Sequence, residues 1–233
     1  MLFETELIEG ELIKRYKRFL TDVKLPNGEI VIAHCPNSGS MKGYKEEGLR
    51  VWLSKSDNPK RKLAYTWEMV EDSAGEKIFI HAAKANTLVK EAIEADAIKE
   101  LQSYDKIRTE VKYGSQNSRI DLLLEKENDK CYVEVKSVTM KEGDTLMFPD
   151  AVTTRGQKHL QELMEVKEQG DRAVLFFAVL REGGENFRAA KEIDPDYAKL
   201  LDEAKENGVE VLIYQAEFKG AEIKLVKPIS FEH

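Results

Sequence analysis

The chemistry in this 233-residue chain is concentrated in three charged side chains, Asp121, Glu134 and Lys136. They lie in Arg119-Ile-Asp121-Leu-Leu-Leu-Glu125 and in Lys130-Cys-Tyr-Val-Glu134-Val135-Lys136. Folded as a hairpin with a loop over Lys126–Asp129, the segment pairs Glu125 with Lys130, Leu124 with Cys131, Leu122 with Val133 and Asp121 with Glu134. Alternation then puts Asp121, Glu134 and Lys136 on one face, and Ile120, Leu122, Leu124, Cys131, Val133 and Val135 on the other. The register that buries the apolar face thus sets two carboxylates opposite each other, which is destabilising unless a cation joins them. Hard oxygen donors at this spacing suit Mg²⁺ or Mn²⁺. Lys136 is placed to touch a phosphate or an attacking water. The bland alternative is a pair of solvent-facing carboxylates bridged to Lys136 and Arg119, worth under about 1 kcal/mol.

Two neighbouring segments add to the pattern. Glu91 precedes the hairpin inside the apolar stripe of Leu88, Ala95 and Ile98, and a carboxylate so placed needs a partner. It is expected to complete the metal shell or to bind a second ion. Arg155-Gly-Gln157-Lys158-His159 follows at the start of an amphipathic helix, whose N-terminus favours anions. Helix-Glu, strand-Asp, strand-Glu-x-Lys, helix is the order of the PD-(D/E)xK nuclease core. The expected catalytic set is therefore Asp121, Glu134, Lys136, Glu91 and Gln157. Asp121, Glu134 and Glu91 would hold metal with help from the Val135 carbonyl, and Gln157 would position the water or the scissile phosphate.

These residues need positioning elements, and the hydropathy pattern supplies them. Up to about His81 short β-like runs alternate with turns: Phe19–Leu25, Glu29–His34, Leu49–Leu53, Leu63–Glu71 and Lys77–His81. Such strands with no helical stripe predict a small OB-fold-like barrel. A helix is expected from Asn86, as its cap, to about Tyr104. Strands follow at Ile107–Tyr113, Arg119–Glu125 and Lys130–Val138, a helix at Thr154–Glu168, a buried strand at Arg172–Leu180, a helix from Pro195 to Asn207 and strands at Val209–Glu217 and Glu222–Ile229. The expected architecture is a two-domain α+β chain: an OB-fold-like barrel over 1–82, and an α/β nuclease-like unit with a mixed sheet over 83–233. Thr139–Val152 lacks any period and is expected to be a lid over the metal site.

Charge separates the two parts. Residues 1–82 carry 13 Lys and Arg against 13 Asp and Glu, so the net −7 comes from the remainder. In the neutral part the bases cluster at Lys14, Arg15, Lys17 and Arg18 around Tyr16, and again at Lys60, Arg61 and Lys62. Bases interleaved with an aromatic suit a nucleic-acid backbone. Arg119, Arg155 and Lys158 would extend that surface towards the carboxylates. DNA is the expected partner, and RNA stays open because recognition of a 2′-hydroxyl is not readable here. No apolar run approaches the roughly 20 residues of a membrane span. The N-terminus lacks the h-region of a secretory signal, and the two cysteines, Cys35 and Cys131, fit a reducing compartment, so a cytoplasmic location is expected.

The chain also resembles the sugar fermentation stimulation protein A (SfsA) family along nearly its whole length. The resemblance is carried by Leu12-Ile-Lys-Arg-Tyr-Lys-Arg-Phe19, His34-Cys-Pro-Asn-Ser-Gly-Ser-Met41, Asn58-Pro-Lys-Arg-Lys62 and Thr66-Trp-Glu68. Further stretches are Glu110-Val-Lys-Tyr-Gly114, Asn117-Ser-Arg-Ile-Asp121, Tyr132-Val-Glu-Val-Lys-Ser137, Phe148-Pro-Asp-Ala-Val152 and Arg155-Gly-Gln-Lys-His159. Ser38 stands where the family suggests Thr, and the hydroxyl survives. The resemblance implies an OB-fold, a PD-(D/E)xK nuclease-like domain, DNA binding and a role in regulating sugar use. A DNA-binding regulator that keeps the nuclease scaffold without cleaving is the alternative to a nuclease. His34-Cys35 has no second pair at metal spacing, the Asn37–Ser40 loop lacks a phosphate-loop pattern, and His81 is taken as structural. His159 is close enough to the proposed site to touch a phosphate.

Overall fold

The structure, a computed structural model, describes residues 1–3, 5–114 and 118–232. The Asn117 end of the Asn117–Asp121 stretch lies outside the described residues. The chain opens with six strands: β1 (Ile8–Tyr16), β2 (Leu20–Lys24), β3 (Ile30–His34), β4 (Arg50–Lys55), β5 (Tyr65–Glu71) and β6 (Lys77–Phe79). They form one sheet in the order β3-β2-β1-β4-β5-β6, and a parallel pairing of Ala33 with Tyr65 and His34 with Thr66 closes β1–β5 into a barrel. Inward residues alternate along the strands, and Leu12, Val23, Val31, Leu53, Trp67 and Val70 fill the interior. The sequence reading missed β1 because its charged residues obscure the alternation; Leu12 is its one fully buried side chain.

Next come α1 (Ala85–Glu94), β7 (Lys106–Tyr113), β8 (Ser118–Lys126), β9 (Asp129–Val138), β10 (Met140–Glu142) and β11 (Thr145–Phe148). They are followed by α2 (Thr154–Glu168), β12 (Arg172–Val179), β13 (Asn186–Ala189), α3 (Pro195–Glu206), β14 (Glu210–Lys219), β15 (Glu222–Pro228) and β16 (Ser230–Phe231). A mixed sheet runs β15-β14-β12-β9-β8-β7, with β9, β12 and β14 parallel. The central strand β12 is apolar throughout because helices cover both faces. On one face α1 packs Leu88, Val89 and Ala92 against Leu122, Leu124 and Val133. On the other, Leu160, Leu163, Tyr197 and Leu201 of α2 and α3 meet Leu175, Phe177 and Val179.

Local signals set the helix ends. Thr153 Oγ1 accepts the Gly156 N–H at 3.0 Å and starts α2, and the Asp194 carboxylate accepts the Tyr197 N–H at 2.9 Å and starts α3. The helix expected to reach Tyr104 ends at Glu94, since Asp96 adopts φ +55°, and a single 3₁₀ turn at Lys99–Leu101 completes the span. The expected lid over Thr139–Val152 is instead mostly a hairpin. Its strands β10 and β11 join β13 and β16 in a second, four-stranded sheet.

The barrel and the mixed sheet are tied together. Arg181, 4% exposed, pairs with Asp72 at 2.8 Å and with Glu76, both on the β5–β6 hairpin. Phe79 N–H also bonds to Leu180 O at 2.8 Å. Among the described residues, no helix is long and apolar enough to cross a membrane.

Candidate functional site

The β8–β9 hairpin adopts the register expected from its alternation: Leu122 opposite Val133, Leu124 opposite Cys131 and Glu125 opposite Lys130. The loop is tighter than expected, because Lys126 also pairs with Asp129 and Glu127 takes φ +51° in a two-residue turn. Alternation fails at one place. Ile120 joins the α2 side of the sheet while Leu122 and Leu124 join the α1 side, so the apolar face is not continuous through Asp121. Opposite this point Glu110 has φ +55° and its carbonyl accepts from Arg119 Nη1 at 2.7 Å. The irregularity turns Asp121 towards β9 and α1. Its Oδ2 accepts the Val135 N–H at 2.8 Å and its Oδ1 accepts from Asn86 Nδ2 at 2.7 Å. Asn86 is therefore not the cap of α1; its amide fixes the carboxylate.

Glu134 and Lys136 point towards α2. Glu134 is 2% exposed. Its Oε1 accepts from Lys136 Nζ at 2.8 Å and from His159 Nδ1 in a very short contact, while Oε2 is buried with no hydrogen-bond partner among the described residues. Arg155 Nε donates to His159 Nε2 at 3.4 Å, which assigns the ring proton to Nδ1, facing Glu134. Lys136 Nζ lies 3.1 Å from the same nitrogen.

The two carboxylates differ electrostatically. Burial pushes the Asp121 pKa up to about 6, and the Glu134 charge adds to the rise against the hydrogen bonds from Val135 and Asn86. Burial acts in the same direction on Glu134, but the His159 hydrogen bond and the Lys136 charge outweigh it and hold its pKa below the ordinary range. Tyr113, at the end of β7, is raised by burial and then by the charges of Glu134, Glu162 and Asp121. Glu162, one helical turn beyond His159, is fully buried with both oxygens unpartnered among the described residues, and its Oε1 would lie 2.9 Å from a Cβ built on Gly114.

Two expected members are elsewhere. Glu91 is 43% exposed in its side chain and pairs with the Met1 amino group at 2.7 Å, so the N-terminal segment supplies the partner assigned above to metal. Gln157 donates Nε2 to Asp194 at 2.9 and 3.2 Å, bracing α2 against the start of α3. Sequence reasoning missed Asn86, Tyr113 and Glu162. Asn86 was legible only as a cap residue, and a buried Glu162 is hidden among the charges of α2.

The basic clusters are less free than their composition suggests. Lys14 pairs with Asp22 at 3.4 Å, Tyr16 donates to Asp22 at 2.9 Å, and Arg15 donates to the Asn37 carbonyl at 2.7 Å. Lys17 and Arg18 form the exposed β1–β2 turn with φ +47° and +66°. Lys60 and Lys62 are exposed on the β4–β5 loop, and Arg61 between them donates to Thr66 Oγ1 at 2.8 Å. Arg155 is exposed at the start of α2, and Lys158, half-buried, follows it.

A closed barrel joined to a mixed sheet whose β8–β9 hairpin carries a buried glutamate, a half-buried aspartate and a lysine defines the class of protein. Two family models match the chain in the same order: the SfsA N-terminal OB domain over residues 13–80, and the sugar fermentation stimulation protein RE domain over residues 83–222. The chain is 54% identical over 228 residues to a sugar fermentation stimulation protein homolog of Shewanella loihica, covering 97% of each. It is 55% identical over 227 residues to the homolog of Geobacter metallireducens, again covering 97% of each. The solved structure of Pyrococcus furiosus SfsA in complex with Ca²⁺ superposes with a TM-score of 0.88 at 27% identity, over 100% of this chain and 98% of that one. The chain belongs to the sugar fermentation stimulation protein family.

Proposed function

We infer that the chain is a divalent-metal-dependent phosphodiesterase acting on DNA, with a nucleic-acid-holding barrel over 1–82 and a hydrolytic unit over 83–233. The observation that carries this is that Asp121 lies near enough to feel the charge of Glu134, whose Oε2 is buried and unpartnered among the described residues. A carboxylate whose proton affinity is raised by the charge of a neighbouring carboxylate, itself with an orphaned oxygen, is better served by a cation than by that neighbour. The donors are hard oxygens, which suits Mg²⁺ or Mn²⁺. Among the described residues no three His, Cys, Asp or Glu side chains converge on one point, so Asp121 and Glu134 would hold the ion with water completing the shell, as Mg²⁺ sites commonly do. The Ca²⁺ complex of the Pyrococcus furiosus relative supports a divalent site.

When bound, the ion supplies Lewis-acid activation of water and of the phosphoryl oxygens. The protein supplies the rest. Asn86 and the Val135 N–H fix the Asp121 carboxylate. His159 and Lys136 keep Glu134 ionised despite its burial. Lys136, 12% exposed, stabilises charge developing on the phosphate and orients the attacking water. Arg155 holds His159 in the tautomer that serves Glu134 and brings a cation to the rim.

The test is strand scission of labelled DNA in Mg²⁺ or Mn²⁺ by wild type, Asp121→Ala and Lys136→Ala. Both substitutions should abolish scission while DNA affinity is retained. Wild-type protein that binds DNA and cleaves none of the duplex, single-stranded or branched forms would overturn the reading in favour of a non-cleaving DNA-binding protein on the same scaffold.

A further inference from the structure

The cavity of greatest volume described, about 660 Å³, lies between the barrel and the start of α1, one residue from the Asp121 site. Thr87 lines it, and the preceding residue, Asn86, holds Asp121. Its floor is Glu68, 3% exposed in its side chain and accepting from Ser54 at 2.8 Å, with His81 Nδ1 at 3.0 Å and Lys84 Nζ at 3.4 Å. Those contacts satisfy Glu68 internally. Two cations on the opposite wall are not so engaged: Arg61 bonds to the neutral Thr66, and Lys55 lies 5.6 Å from the Tyr65 ring. Neither has a carboxylate partner among the described residues. The acids that share the lining are Asp57, which is exposed, and Glu91, which is paired with Met1. At the barrel side, His34 stacks on Phe19 with ring centroids 6.4 Å apart and planes 25° apart, and Phe19 is 47% exposed.

We propose that this cavity seats one nucleotide of an unpaired nucleic-acid strand, its phosphate against Arg61 and Lys55 and its base against His34, the member of the His34–Phe19 stack that lines it. The volume lies in the range of small-ligand clefts and is far too small for a duplex. Cations without a carboxylate partner beside an accessible aromatic stack are the elements with which proteins hold single strands. Thr87 on the lining and Asn86 on Asp121 are neighbours at the start of α1, so this helix end borders both the cavity and the Asp121 carboxylate. The inference rests on the phosphodiesterase reading for its purpose, but not for its test.

That test is equilibrium binding of labelled oligo-dT, oligo-rU and a duplex of equal length, all in EDTA so that no metal or cleavage contributes. Arg61→Ala should weaken strand binding by about tenfold and duplex binding by no more than about twofold. Arg61→Lys, which keeps the charge, should recover much of the loss. Thr87→Trp, at an exposed position that can fill the cavity, should match the alanine variant even if Arg61→Ala is poorly folded. The sugar whose strand loses more is the one the cavity fits. Strand affinities within about twofold of wild type in both variants, or equal losses for strand and duplex, would overturn the proposal. If the cavity variants lose the strand while wild type fails to cleave DNA, the phosphodiesterase reading falls alone. If wild type cleaves and the cavity variants bind normally, the cavity proposal falls alone.

Discussion

Two buried glutamates in this molecule share the same companions and differ in what they leave unmet. Glu68, in the barrel, and Glu134, in the mixed sheet, are each 2% exposed and each lies beside one histidine and one lysine. Both have pKa values held below the ordinary range: burial acts upwards on each, and is outweighed by the histidine hydrogen bond and the lysine charge. Glu68 has a third donor, Ser54, and both its oxygens are occupied. Glu134 has no such donor, keeps Oε2 empty-handed, and faces a second carboxylate, Asp121. The first is a closed structural cluster. The second leaves one carboxylate oxygen unmet within range of another carboxylate's charge.

Removing the anion from the closed cluster should have the largest effect. Glu68→Ala leaves His81, Lys84 and Ser54 without an acceptor, and urea unfolding should show a loss of about 3–5 kcal/mol. Glu134→Ala should cost less, because it also relieves Asp121. Equal losses would break the comparison. Glu162 carries the contrast to its limit, since a fully buried carboxylate without partners opposes folding. Glu162→Met should raise stability by about 1–3 kcal/mol in metal-free buffer, and a loss would show that the carboxylate is satisfied in solution.

The pH dependence separates the two sites further. The Asp121 pKa is raised from 3.8 to about 6, so its contribution to stability is fully present below about pH 4 and is lost as pH rises through about 6. Asp121→Asn should therefore stabilise the metal-free protein by about 1–2 kcal/mol near pH 8, with the gain fading towards pH 4. Glu68 runs the other way: its pKa is lowered, so its stabilisation holds above the normal carboxylate range and is lost on acidification. Thermal melts across pH check both signs. The smallest effect is Ser54→Ala, expected to cost about 1 kcal/mol for the lost hydrogen bond.

The part of this account that could be read beforehand is the part fixed by neighbours in sequence. The β8–β9 register followed from apolar alternation, α2 from its amphipathic pattern and α3 from the Asp194-Pro195 start. What was not legible depends on partners far along the chain. Glu91 finds Met1, Gln157 finds Asp194, and β11 finds β13 across some forty residues, turning an expected lid into a sheet. Spacing alone set Asp121 directly opposite Glu134, whereas the β8–β9 pairs begin at Leu122 and Val133. The role of Asn86 and the failure of alternation at Ile120 could not be read from spacing, because both arise from how α1 and α2 sandwich the sheet.

The most direct measurement is calorimetric titration of Mn²⁺ into wild type and Asp121→Asn near pH 8, above the Asp121 pKa. The cation-site reading of the Glu134 cluster predicts saturable binding in wild type, weakening as pH falls through about 6 and lost in Asp121→Asn. No binding in wild type, or equal binding by the two proteins, would contradict it and make the Glu134 cluster as closed as that of Glu68.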